Sequence, residues 1–169
     1  MGSSYSNSYS GTKERSQPFK TYYHVVDSMH KYDIETGAFK DGKYLKNPTA
    51  QNIHNMINGE YIGSKSYTND ALTYVITKDN QIIVGKRNGN GRGKDSIPTP
   101  HPSLIGGEDP KVRMAGILHI ENGKIAKYDD RSGHYKPNKK SMKVADEVFG
   151  KLPKYLFKNG GKKDGRIKI

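Results

Sequence analysis

Two histidines stand where acid–base chemistry could be done. His101 sits in Thr99-Pro-His-Pro-Ser103, and His134, 33 residues later, in Arg131-Ser-Gly-His-Tyr-Lys-Pro137. Imidazole exchanges its proton near neutral pH, so a pair can act as base and acid in phosphodiester transfer. Ser132 and Tyr135 are placed to orient a substrate beside His134. Arg113, Arg131, Lys136, Arg87 and Arg92 are candidates to hold phosphate and to offset the charge that develops on phosphorus. A lone histidine in a Pro-rich loop is more often a surface side chain, so the case needs the two brought together.

Other motifs point away from cofactors. Asn88-Gly-Asn-Gly-Arg-Gly93 lacks the strand–loop–helix setting and the Gly-Lys-Ser/Thr ending of a phosphate-binding loop, and reads as a flexible loop. No His-Glu-x-x-His or comparable metal spacing occurs, and no metal or cofactor is expected. Asp129-Asp130 beside Arg131 is expected to be a salt-linked strand end, and His119 a structural mid-strand residue. His24, His30 and His54 show no partner spacing.

The elements that would deliver the pair follow from apolar periodicity. Asn47 as N-cap, Pro48 at the first helical position and Ile53, Met56 and Ile57 at helical spacing predict a helix stopped by Gly59. Four strands are expected over 72–77, 82–86, 112–120 and 124–130. A helix capped by Ser141 follows, with the stripe Met142, Ala145, Phe149 and Leu152, ended by Gly150 and Pro153. The expected class is α+β: an N-terminal helix, a four-stranded antiparallel meander and a closing C-terminal helix. A short strand at 22–26 is possible. Residues 1–20 and 159–169 are expected to be disordered, leaving one monomeric domain over 21–158.

Asn122-Gly123 is the strongest short hairpin signal, and it sets a register. With Glu121 facing Lys124, Ile117 falls opposite Tyr128, Ala115 opposite Asp130, Arg113 opposite Ser132 and Lys111 opposite His134. Arg113, Ser132 and His134 then share the open end of the hairpin. The loop carrying His101 enters the third strand at that same end, so both histidines are expected at one rim of the sheet.

Composition narrows the partners. The chain has 169 residues, no cysteine, and 29 Lys and Arg against 17 Asp and Glu, for a net charge of +12. Residues 136–169 hold 11 basic and 3 acidic residues, so +8 of that charge lies in the last fifth. Such charge fits phosphate binding through counterion release, with RNA as the favoured partner. Apolar residues are 32% of the chain and mean hydropathy is −0.91, so any core is concentrated and no membrane insertion is expected. No signal peptide opens the sequence, and the start fits a domain cut from a larger parent that supplies delivery.

Thr99-Pro-His-Pro-Ser-Leu-Ile-Gly-Gly107, Met114-Ala-Gly-Ile117, Asn122-Gly-Lys-Ile125 and Ser132-Gly-His-Tyr-Lys-Pro137 resemble the C-terminal toxin domains of bacterial polymorphic toxins, of the Rhs-type and contact-dependent kinds. The similarity covers about residues 70–155, and Ser-Gly-His-Tyr-x-Pro is its most specific part. The resemblance implies a secreted antibacterial effector acting in the cytoplasm of a target cell, with a cognate, acidic immunity protein. Relatives carry an acidic residue after the Ala-Gly pair, where this chain has Ile117. A helix before an antiparallel meander is also similar to the barnase–EndoU–colicin–RelE ribonucleases, an analogy of fold alone. The expected activity is a metal-independent endoribonuclease using His101 and His134. The alternatives are an NAD-dependent ADP-ribosyltransferase, weakened by the missing acid, and a non-enzymatic basic nucleic-acid-binding module.

Overall fold

A computed structural model of the chain describes residues 16–63, 70–91 and 96–158. Helix α1 (His30–Thr36) ends at Gly37, whose φ of 89° is a conformation that favours glycine. Short strands follow: β1 (Phe39–Lys40), β2 (Lys43–Tyr44), β3 (Gln51–Asn52), β4 (Ile57–Asn58) and β5 (Tyr61–Ile62). The long strands are β6 (Asp70–Ile76), β7 (Ile82–Lys86), β8 (Met114–Glu121) and β9 (Lys124–Tyr128), and helix α2 is Met142–Phe149. The class is α+β. Among the described residues no helix is long and apolar enough to cross a membrane.

The four long strands fall where alternation predicts them, but their order is not a meander. The main sheet runs β3-β7-β6-β8-β9, with every neighbouring pair antiparallel. Residues 72–76 of β6 are all buried, so that strand takes a neighbour on each edge and cover on both faces. The chain after β7 crosses back and lays β8 on the far edge of β6, with Tyr74 paired to Gly116 and Thr73 to Ile117.

Strand alternation sorts the two faces. Leu72, Tyr74, Ile76, Met114 and Leu118 face a core closed by α2, where Phe149 stacks on Tyr128 at 4.2 Å and meets Tyr74 edge-on at 5.2 Å. On the opposite face Val75 and Ala115 pack with Tyr23, Leu104, Val112 and Tyr135 in a smaller core. Helix α2 and its exposed Lys143 therefore lie behind the sheet, on the side away from Thr73 and Ile117.

Several local expectations are corrected. The helix predicted over 47–57 does not form. The Asn47 carboxamide accepts from the backbone N–H and hydroxyl of Thr49 and donates to the Lys86 carbonyl, which bends the chain onto the sheet edge as β3. The apolar spacing that suggested a helix is met by one 3-10 turn, Ile53–Met56, capped by the Asn52 side chain. The expected strand at 22–26 reduces to a bridge between Tyr23 and Val112. Residues 16–20 are not loose: Gln17 N–H donates to the Lys136 carbonyl, and its carboxamide donates to that of Tyr135. Residues 1–15 and the tail from 159 lie outside the described residues. Ser141 does not cap α2 through its side chain; its Oγ is 2.6 Å from the Tyr23 hydroxyl.

The hairpin begins in the expected register, Glu121 with Lys124 and Ile120 with Ile125, and then slips. A bulge between His119 and Ile120 pairs His119 with Lys127 and Leu118, not Ile117, with Tyr128. The ladder stops at Tyr128, so the pairs placed further out, Arg113 with Ser132 among them, do not form.

The strand exit past Tyr128 leans on Gly116. A Cβ built there would lie 1.9 Å from the Asp129 carbonyl oxygen and 3.0 Å from the Tyr74 ring. Gly116→Ala is expected to destabilise the domain by about 3 kcal/mol, the upper end for overpacking a tight core. Urea unfolding checks this, and an unchanged midpoint would mean that the Asp129 backbone yields freely.

Candidate active-site cleft

The face of the sheet opposite α2 opens into a cleft of about 560 Å³, floored by the cross-strand pair Thr73 and Ile117. One wall is the loop 96–101, which ends in the 3-10 turn His101–Leu104; Leu104 anchors that turn in the smaller core. Thr99 ties the loop to the end of β7, donating to the Arg87 carbonyl and accepting from Gly89 N–H, each at 2.9 Å. The other wall is the turn 131–134, and Tyr32 of α1 stands at the mouth. A second hollow of about 620 Å³ shares Arg87, Asn88 and Gly91 with the first and continues past Lys86.

Both histidines line this cleft. His101 Nε2 is 2.7 Å from the Gly116 carbonyl, which can only accept, so Nε2 carries the hydrogen and the neutral ring keeps its lone pair on Nδ1. Burial pushes this imidazole down to about 4, helped by the nearby charge of His134 and of Arg87 and partly offset by the Gly116 bond. His101 is therefore neutral at pH 7.

His134 is built differently. Its Nε2 lies 2.7 Å from Oδ1 of Asp33, a carboxylate with no exposed surface, and Tyr44 donates its hydroxyl to the other oxygen, Oδ2. Burial and then the bond to Asp33 hold the Tyr44 phenol well above its usual range, so it stays a donor. The carboxylate fixes the orientation of the ring and can offset positive charge on a protonated imidazole. The backbone is pinned as well, Val26 N–H donating to the His134 carbonyl.

No protein-family model, curated protein or solved structure matches this chain.

The other candidates divide. Arg87, exposed at the end of β7, and Arg131 line the cleft, as does Ser132, whose Oγ accepts from Tyr135 N–H at 3.2 Å. Tyr135 is fully buried in the smaller core with its hydroxyl donated to the Pro110 carbonyl, so it supports the turn and is not among the described residues lining the cleft. Arg113 faces away: its guanidinium donates to Asn80 in the β6–β7 turn, because β8 starts beside that turn. Lys136 is 7% exposed and does not line the cleft; its backbone sits at a φ of 42°, bonded to Ser132 and Gln17. Arg92 lies outside the described residues.

Asp129 is the salt-linked strand end expected, fully buried and accepting from Ile117 and Arg131 N–H. It also lies 3.2 Å from His119 Nε2 and 3.9 Å from Arg131 Nε, so it steadies the arginine at the cleft. No Asp or Glu is among the described residues lining the cleft, and among the described residues no group of three or more His, Asp or Glu converges as metal ligands. Asp33 and Tyr44 were not candidates from sequence. The only available signal was an acid within reach of an unassigned His- and Tyr-rich stretch, and its partner is 101 residues away.

Proposed function

We propose that the domain is an endoribonuclease in which His101 and His134 act as base and acid on one phosphodiester. The observation that carries this is a single open cleft lined by both imidazoles, His101 desolvated and neutral and His134 bonded to the buried Asp33 carboxylate, together with Arg87 and Arg131. His101 Nδ1 takes the proton of a ribose 2′-hydroxyl, whose oxygen attacks the adjacent phosphorus. The bond from phosphorus to the 5′-oxygen breaks, and that oxygen leaves with a proton from His134 Nδ1. The products are a 2′,3′-cyclic phosphate and a 5′-hydroxyl. Arg87 and Arg131 stabilise the charge on the non-bridging oxygens, and Ser132 holds the turn that presents His134.

Among the described residues the cleft lining carries Arg87 and Arg131 and no carboxylate, which suits a polyanion. The second hollow, which holds Lys86 and Arg87 along with Asp70, continues from Arg87 and gives room for a polymer. Ile117 on the cleft floor supports the nuclease over an ADP-ribosyltransferase that would place an acid there. The resemblance at Ser132-Gly-His-Tyr-Lys-Pro137 supports a role as an antibacterial effector, delivered to a target cell's cytoplasm and held in check by an acidic immunity protein.

Purified protein incubated with total RNA in EDTA, without NAD, is expected to give discrete fragments ending in 2′,3′-cyclic phosphate. Intact RNA with consumption of added NAD would replace the nuclease by the transferase. Intact RNA that is merely bound would leave a binding module.

A further inference from the structure

Among the described residues Tyr32 belongs to neither core cluster, yet it occupies a defined place. The residue is 48% exposed and lines the same cleft as the loop residues Ile97 and Pro98. Ile97 rests on the end of α1, its Cδ1 lying 3.7 Å from where a Cβ at Gly37 would be. The aromatic ring and the apolar wall are thus held by one short helix. The same helix supplies Asp33, the next residue, to His134. Exposed Tyr22 differs, for Lys111 Nζ stands 5.7 Å above its ring centre.

A half-exposed aromatic beside a cationic phosphate site is the arrangement on which nucleobases stack. The cleft, at about 560 Å³, falls within the roughly 300–1,000 Å³ of small-molecule sites. A single half-exposed ring in a cleft fits a flat ligand better than a protein surface, which would need a broader apolar patch. We propose that Tyr32, with Ile97 and Pro98, forms a nucleobase subsite for the ribonucleotide whose phosphate lies between His101 and His134. This rests on the ribonuclease reading and adds to it the base-binding residue. Stacking accepts any base face, so the subsite supplies affinity with little choice among bases.

The chain has no tryptophan, so Tyr32→Trp introduces a single reporter. Titrating this full-length variant with 5′-AMP is expected to quench the tryptophan emission saturably, whereas ribose 5-phosphate, which has no base, leaves it unchanged. In cleavage of an oligoribonucleotide, Tyr32→Ala is expected to raise KM about tenfold with kcat changed less than about threefold, and Tyr32→Phe to keep the wild-type KM. No response to 5′-AMP, or an equal response to ribose 5-phosphate, overturns the subsite, and so does an unchanged KM in Tyr32→Ala. The two ideas fail separately. Quenching by 5′-AMP without cleavage of RNA leaves the subsite standing and removes the nuclease, while cleavage with a silent reporter does the reverse.

Discussion

Replacing His134 by glutamine is expected to slow RNA cleavage by about 10³-fold while the protein stays folded, within the range for losing a general acid or base. The choice of glutamine follows from Asp33. That carboxylate is fully buried, and alanine at 134 would take away the donor 2.7 Å from its Oδ1. An unmet buried acceptor costs about 1–3 kcal/mol, so His134→Ala would confuse lost chemistry with lost stability. A glutamine carboxamide can reach the same oxygen with an N–H but cannot shuttle a proton. Product formation from a labelled oligoribonucleotide, with a thermal melt alongside, separates the two effects. A folded His134→Gln protein that cleaves at the wild-type rate would take His134 out of the mechanism. Asp33→Asn serves as the companion, since Asp33 touches no substrate and acts by positioning. It should lower kcat more than it raises KM and move the pH profile, which a purely structural residue would not do.

The parts of this fold that could be read from sequence are those set by local periodicity. Alternation in β6 and β7, the Asn122-Gly123 turn and the Met142, Ala145, Phe149 stripe of α2 each depend on neighbours within a few residues. The parts that could not were decided by distant partners. Asn47-Pro48 has helix-start chemistry, but its side chain is used by Lys86, in the strand it lies against. Strand order turned on β6 needing cover on both edges, which a meander would not give it. The bulge at His119 shifted the register that had placed Arg113 next to Ser132. His101 and His134 still reach one cleft, although by another route: the crossover loop and the turn after β9 meet over the same face of the sheet. Tyr135, two residues from the cleft-lining Gly133, has the polar tip of a catalytic group and the burial of a core residue, and sequence alone does not separate these.

Acidification should weaken the protein through His101, and the sign follows from its environment. The folded-state value is about 4 against 6.5 for the free side chain, so between those values the unfolded chain binds the extra proton. Stability is therefore complete above about pH 6.5 and falls as pH drops toward about 4, by on the order of 3 kcal/mol for a group this deeply buried. His101→Gln removes the titration and retains an N–H for the Gly116 carbonyl. Urea unfolding at pH 7, 5.5 and 4 should then show a shallower loss in the variant than in the wild type. The same neutrality predicts that the acid limb of kcat/KM in the wild type, so far as the base controls it, lies well below the 6.5 of free imidazole. If wild type and variant lose stability in parallel, the folded protein must hold this ring charged at the lower pH. A ring that charges so readily is not the desolvated neutral base the cleft requires, and the proton would have to be taken by another group.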